Sequence, residues 1–386
     1  MNSIEWLKHL IAFNTISSNS NLPLIHAVQE WFTFHKLESV IIPGETEDKA
    51  NLLATIPAHD GSTKGGLVLS GHTDVVPVAG QMWDTDPFVA VEKDGKIFGR
   101  GTCDMKGFIA VILSLVPELQ KQKLLKPIHF SLTCDEEIGC IGVDYLVAYL
   151  QKMGIQPEGC IIGEPSSLRP IIGEKGRRLY HCQVQGKYGH SSAPSKGCNA
   201  IEYASRLITY ISNLAQFVEK NGPFDADFDY PFTTISTNII SGGIATNVIP
   251  GTCEFVLELR YIEQFSLENF YNQIKQYIDS ELIPEMRKNY EQATIHFDQT
   301  SDSPGFSAAD NSSINQVVRL VTGITDRYKV SYATEAGAFQ SAHIPTIICG
   351  PGNIEQAHAA NEFITIEQLH LCEKVLRNII TFFGEH

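Results

Sequence analysis

Long apolar runs are missing from these 386 residues, and so are paired cysteines and any surplus of positive charge. No stretch approaches the roughly 20 apolar residues needed to cross a bilayer, so no membrane contact is expected. Met1-Asn-Ser-Ile-Glu-Trp-Leu-Lys-His-Leu has no basic segment followed by an apolar core, and no signal peptide is expected either. The nine cysteines are scattered, odd in number and never spaced Cys-x-x-Cys. That argues against a thiolate zinc site or a disulfide framework and fits reduced thiols in a cytoplasm. Cys103, beside Asp104 but without a paired base, reads as a small packing residue. Lys and Arg number 29 against 44 Asp and Glu, a net charge of −15, so a nucleic-acid backbone would be repelled. Repeats and low-complexity segments are absent.

What is present is globular in balance: 43% hydrophobic and 19% charged residues. A chain this long is expected to split into two domains. Up to about residue 177, short apolar runs alternate with helical patterns at 22–37, 107–116 and 142–153, which predicts an α/β layer structure with a largely parallel sheet. The order then changes. Strands are predicted at 178–184, 233–240, 253–261 and 293–297, with long helices at 199–220 and 266–289, the second kinked or broken at Pro284. That β-α-β-β-α-β order is the split βαβ sandwich. A domain formed by 1–177 and 293–386 is therefore expected to be interrupted by an α+β insert at 178–292.

Chemistry gathers where the strands stop. Gly66-Leu-Val-Leu-Ser70 leads into Gly71-His-Thr-Asp74, and Lys96-Ile-Phe-Gly into Arg100-Gly-Thr-Cys-Asp104. Ile128-His-Phe-Ser-Leu-Thr leads into Cys134-Asp-Glu136-Glu137, and Cys160-Ile-Ile-Gly into Glu164-Pro165. Thr346-Ile-Ile-Cys leads into Gly350-Pro-Gly and on to His358. Ligands of open α/β sheets collect outside the carboxyl ends of the strands. His72, His358 and the acids at such ends therefore describe a metal site assembled from many strands. Asp74 is placed to accept a hydrogen bond from the second nitrogen of His72, fixing the tautomer. An all-imidazole and carboxylate set suits hydrolytic zinc, cobalt or manganese, and carboxylates can bridge two ions about 3.5–4 Å apart. Glu136 and Glu137 are adjacent and would face opposite ways on a regular strand, so both reach the site only if the strand ends in a turn. One could then bind metal while the other moves protons. A dinucleotide fingerprint is excluded, since Gly99-Arg-Gly101 has Asp104 where the third glycine belongs.

Gly71-His-Thr-Asp74, Gly101-Thr-Cys-Asp104-Met-Lys-Gly107, Asp135-Glu-Glu137, Gly163-Glu-Pro165, Gly189-His-Ser191 and Gln356-Ala-His358 together resemble the dinuclear metallo-aminoacylase/carboxypeptidase family, in order and over essentially the whole chain. The resemblance implies a zinc-peptidase-like catalytic domain plus a split-βαβ lid and dimerisation domain. It implies two divalent ions, Zn2+ first and Co2+ or Mn2+ as alternatives. His72 and Glu164 would bind one ion, Glu137 and His358 the other, with Asp104 bridging. Asp74 would orient His72, and Glu136 would be general base and then acid. The peptide after Asp104 would be cis. His190 in the lid would stabilise the oxyanion, acting within its own chain or from the partner of a homodimer, while Asn247 and Arg260 would hold the substrate.

The segments Leu168-Arg-Pro-Ile-Ile, Ala333-Thr-Glu-Ala-Gly-Ala-Phe and Gly350-Pro-Gly-Asn-Ile-Glu-Gln-Ala-His resemble the branch of that family that deacetylates N2-acetylated ornithine. Arg177-Arg178 and Asn361-Glu362 depart from it, the arginines resembling the desuccinylase branch. Broader aminoacylases and dipeptidases are the other enzymatic alternatives, and a binding protein that keeps the fold is the non-catalytic one. Glu335, in the Thr-Glu-Ala segment, is expected to face the crevice and favour the δ-ammonium of ornithine.

Overall fold

The computed structural model describes residues 1–385, which divide into two compact units. The first comprises Met1–Gly173, Phe306–Lys329 and the chain from Thr334 on; the second comprises Glu174–Gly305 with Val330–Ala333.

In the first unit a sheet runs in the order Ser39–Pro43, Ala50–Ile56, Ile128–Thr133, Leu67–His72, Gly159–Pro165, Thr346–Gly350, Ile171–Glu174, Phe306–Ser307. Leu67–His72 lies parallel to both of its neighbours, and Gly159–Pro165 parallel to Thr346–Gly350. The flanking pairings, such as Ala50–Ile56 with Ile128–Thr133, are antiparallel. Every residue of the four central strands is buried, which is why they read as continuous apolar runs rather than alternating ones. Register sets the site: His72 lies opposite Thr133 and Ser70 opposite Ile162, so His72, the Asp135–Glu137 segment and Glu164 come off the sheet at one level.

Helix Lys106–Leu119 lies against these strands and is buried along most of its length. Two glycines permit the approach. A Cβ on Gly163 would come within 1.9 Å of the Phe108 ring, and one on Gly71 within 3.0 Å of Met105. Burying a ring such as that of Phe108 contributes about 2–3 kcal/mol. The close contact also draws the start of the helix, just after Asp104, against His72 and Glu164.

The second unit has an antiparallel sheet in the order Thr234–Gly242, Thr252–Tyr261, Gly176–Gln185, Thr294–Ser303. Helices Ala200–Asn221 and Leu267–Tyr277 supply the apolar faces that cover it, around Leu207, Ile211, Phe270 and Ile274. The split βαβ order is as expected, but its C-terminal limit is not residue 292. Thr294–Ser303 pairs with Gly176–Gln185 for its whole length, so the chain returns to the first unit only at Phe306. The entry point likewise falls at Glu174 rather than 178. Pro284, which cannot donate to the carbonyl one turn back, stands at the start of helix Ile283–Asn289, after a π-helical turn at Ile278–Leu282 absorbs the break. A short ribbon pairs Gly189–His190 with Val248–Ile249. Among the described residues, no helix is long and apolar enough to cross a membrane.

Candidate metal centre

Asp104 stands between two histidines. Its Oδ1 is 3.0 Å from His72 Nε2 and its Oδ2 is 3.2 Å from His358 Nε2. Glu164 Oε1 lies 3.5 Å from His72 Nε2, and Glu137 Oε2 lies 3.1 Å from His358 Nε2. Two triads share the Asp104 carboxylate, His72/Asp104/Glu164 and Asp104/Glu137/His358, and a third group joins His72 to Glu136 and Glu137; in each the donor atoms lie within 4.8 Å of one another. The peptide from Asp104 to Met105 is cis.

Both glutamates of the 136–137 pair reach this site because the strand is turned sharply before them. Asp135 adopts φ +56°, a left-handed conformation in which successive side chains no longer alternate. The turn is pinned twice. Lys49 Nζ donates to Asp135 Oδ1 at 2.8 Å in a buried ion pair. The Asp74 carboxylate accepts from the amides of Glu136 (3.1 Å) and Glu137 (3.3 Å), and from the Ser17 hydroxyl at 2.7 Å. This corrects the expected partner of His72. Its Nδ1 donates to the backbone carbonyl of Asp74 at 2.9 Å, while the nearer Asp74 carboxylate oxygen is 3.8 Å away. Asp74 thus orients the imidazole with its main chain and the two glutamates with its side chain.

The electrostatics describe a site that wants positive charge. Burial works against the His72 imidazolium, but Asp104, Glu164 and Glu136 outweigh it and raise its pKa well above the ordinary value. Hydrogen bonds that His358 donates to Asp104 and Glu137 raise its pKa to about 10. Burial opposes the Asp104 anion as well, yet its bonds to His358 and His72 hold the carboxyl well below the usual range. Burial pushes Glu136, Glu137 and Glu164 upward. Protons here neutralise a cluster of acids that divalent cations would neutralise equally. Glu137 Oε1 adds a buried acceptor without a hydrogen-bond partner among the described residues. Imidazole and carboxylate donors, a shared bridging acid and an unused buried oxygen fit two divalent ions.

Sequence-predicted residues elsewhere fall into two sets. In the second unit, His190 and Asn247 sit together, since Ser191 N donates to the Asn247 carbonyl at 3.0 Å beside the short ribbon. His190 Nδ1 accepts from Ser192 N at 3.2 Å, which leaves its proton on Nε2, and the ring is exposed. Arg260 is held through Nε by Glu258 at 2.7 Å, and Glu258 also receives Arg177 Nε at 3.0 Å. Glu335 is a deeply buried carboxyl. It is 1% exposed, with the Ser70 hydroxyl 3.5 Å from Oε2, and burial pushes its pKa up to about 7. Sequence reasoning also missed Ser17, Lys49 and the buried Arg100 and Glu362; only the Gly-Arg-Gly and Asn-Glu segments pointed toward the last two.

The profile of Peptidase family M20/M25/M40 matches residues 68–381, a span that includes every proposed metal ligand. The chain belongs to this family. Among curated proteins it is 36% identical to the acetylornithine deacetylase of Pasteurella multocida, over 98% of this chain and 97% of that one. It is 34% identical to the acetylornithine deacetylase of Shigella sonnei, over 99% and 98%. Among solved structures it resembles a tripeptidase from Staphylococcus aureus, with a TM-score of 0.77, 20% identity, and coverage of 100% and 98%. At that identity the last likeness is one of fold.

Proposed function

We propose that the chain is a metal-dependent amidohydrolase that converts N2-acetyl-L-ornithine to acetate and L-ornithine. The observation that carries this reading is the pair of triads joined by Asp104, in a chain alike over nearly its full length to two acetylornithine deacetylases. When bound, two divalent ions, Zn2+ foremost, supply the charge that polarises an amide carbonyl and acidifies water. His72, Asp104, Glu164, Glu137 and His358 hold them. Glu136 is outside the two triads that share Asp104, though it groups with His72 and Glu137, and burial raises its pKa, which suits a group that accepts a proton from attacking water and returns it to the leaving amine nitrogen. His190, protonated on Nε2, donates to the developing oxyanion. Asn247 holds the substrate, and Arg260, fixed at Nε by Glu258, offers its terminal nitrogens to a carboxylate.

The second unit serves as lid and as dimer contact with a second copy of the chain. Thr234–Gly242 is the end strand of its sheet, with Ile239 and Ile240 62% and 55% exposed, an edge suited to pairing with its own copy. Eight of the nine free cysteines are buried, in keeping with a cytoplasmic setting. Both arginines that suggested a desuccinylase reading are paired with acids. Arg178 is engaged by Asp302 through Nε and Nη2, and Arg177 is held at Nε by Glu258, as Arg260 is.

Comparing kcat/KM on zinc-loaded protein for acetylornithine, acetylcitrulline and succinyl-diaminopimelate tests the assignment. Acetylornithine is expected to lead, and chelation to abolish turnover until zinc or cobalt is restored. A lead for succinyl-diaminopimelate, or full activity in metal-stripped protein, would overturn it.

A further inference from the structure

Glu362 has no task in the chemistry above, yet it is among the most heavily bonded side chains near the site. It is 1% exposed, and its carboxylate accepts four hydrogen bonds from one loop. Arg100 Nη1 (2.7 Å) and Gly101 N (2.9 Å) donate to Oε2; Cys103 N (2.8 Å) and Asp104 N (3.0 Å) donate to Oε1. The main chain of Asp104 is thereby fixed directly. A second path runs through Arg100, which also donates to the Ala359 carbonyl at 3.3 Å and to Gln81 Oε1 at 2.6 Å. Gln81 Nε2 in turn donates to the carbonyl of His358 at 2.7 Å. One buried carboxylate therefore ties together the backbones carrying Asp104 and His358. Other groups position the rest: His72 ends a sheet strand, Glu164 lies within one, and Glu137 takes its hold from Asp74.

We propose that Glu362 is a positioning residue for the ion position formed by Asp104, Glu137 and His358, and that without it this position loses its ion before the His72/Asp104/Glu164 position does. The inference rests on the metal-centre reading above. The asymmetry follows from counting supports. Two ligands of the Asp104/Glu137/His358 triad depend on Glu362, but only the shared Asp104 of the His72/Asp104/Glu164 triad does. Glutamine cannot substitute, because its amide nitrogen would face N–H donors and leave two of the four without an acceptor.

The test is titration of metal-stripped protein with Zn2+ by calorimetry and with Co2+ by visible absorption. Glu362→Gln is compared with wild type, Glu137→Gln and Glu164→Gln. Wild type is expected to bind two ions. Glu362→Gln should keep one near-normal affinity and weaken the other tenfold or more, and its singly loaded cobalt spectrum should match that of Glu137→Gln. Should the unpaired Arg100 prevent folding, Arg100→Met/Glu362→Gln removes the buried cation and carries the same expectation. Equal weakening of both ions, no weakening, or a spectrum matching Glu164→Gln would overturn the proposal. If wild type itself binds no Zn2+, the metal-centre reading fails first, and that result is visible without any variant.

Discussion

A carboxyl buried as deeply as that of Glu335 should make the protein less stable as the pH rises, and Glu335→Gln should remove that dependence. The group is 1% exposed, and no cation pairs with it among the described residues. Burial raises its pKa from the ordinary 4.5 to about 7. Between those values the unfolded chain has released the proton while the folded chain still holds it. Folding is therefore favoured by proton binding at low pH, and stability falls as the pH climbs through this window. At 1.36 kcal/mol per pH unit, the 2.5-unit gap amounts to about 3 kcal/mol. The assay is urea denaturation of the metal-free protein at pH 5 and pH 8, followed by tryptophan fluorescence. All three tryptophans, Trp6, Trp31 and Trp83, lie in the first unit, so the signal reports on the unit that contains Glu335. Relative to wild type, the glutamine variant should gain up to about 3 kcal/mol on going from pH 5 to pH 8. A stability difference that is the same at both pH values would show that Glu335 ionises like a surface carboxylate, and the reasoning from burial would be wrong.

Glu136→Gln should cut turnover by about 10²–10⁴-fold while leaving metal content near normal, whereas Glu137→Gln should lower occupancy of one ion; equal metal loss in both, read by elemental analysis, would contradict the division of labour. His190→Ala should keep its metals and lose mainly kcat, and hybrid dimers formed with Glu136→Gln should regain activity if the donor comes from the partner; verified hybrids without recovery would place His190 within its own chain or outside the chemistry.

The parts of the fold that could be read in advance are those where local pattern and tertiary demand agree. Apolar runs such as Cys160-Ile-Ile-Gly are buried on both faces, so they announce central strands, and the acids that follow announce strand ends. A limit at residue 292 leaves out even the strand expected at 293–297, and the polar segment Asp298-Gln-Thr-Ser-Asp-Ser303 gives no local sign that this strand continues. It is a strand because Gly176–Gln185 supplies its hydrogen-bond ladder from more than a hundred residues away. Asp74 was assigned the right neighbour and the wrong atom. Spacing in a His-x-Asp segment constrains where the main chain goes, but not whether carbonyl or carboxylate meets the imidazole. Glu335 and Glu362 were harder still. A buried carboxyl looks like any surface acid in sequence, and only the packing of distant segments distinguishes them.

The glycines beside the ligands show why packing and chemistry cannot be separated here. Gly71 precedes His72, Gly163 precedes Glu164, and a Cβ on Gly350 would lie 1.9 Å from the Gly163 carbonyl oxygen. At Gly163 and Gly350 the Phe108 ring and the neighbouring strand leave no room for any side chain, and at Gly71 a Cβ would press on Met105 at 3.0 Å. That close packing brings Asp104 within 3.0 Å of one histidine and 3.2 Å of the other. The acids so gathered repel one another and would spread apart if free to move. Their positions are held from outside, by Asp74 on the Glu136–Glu137 turn, by Lys49 on Asp135 and by Glu362 on the Asp104 loop. The site is therefore a set of like charges that the surrounding packing does not allow to relax, and its affinity for cations follows from that restraint.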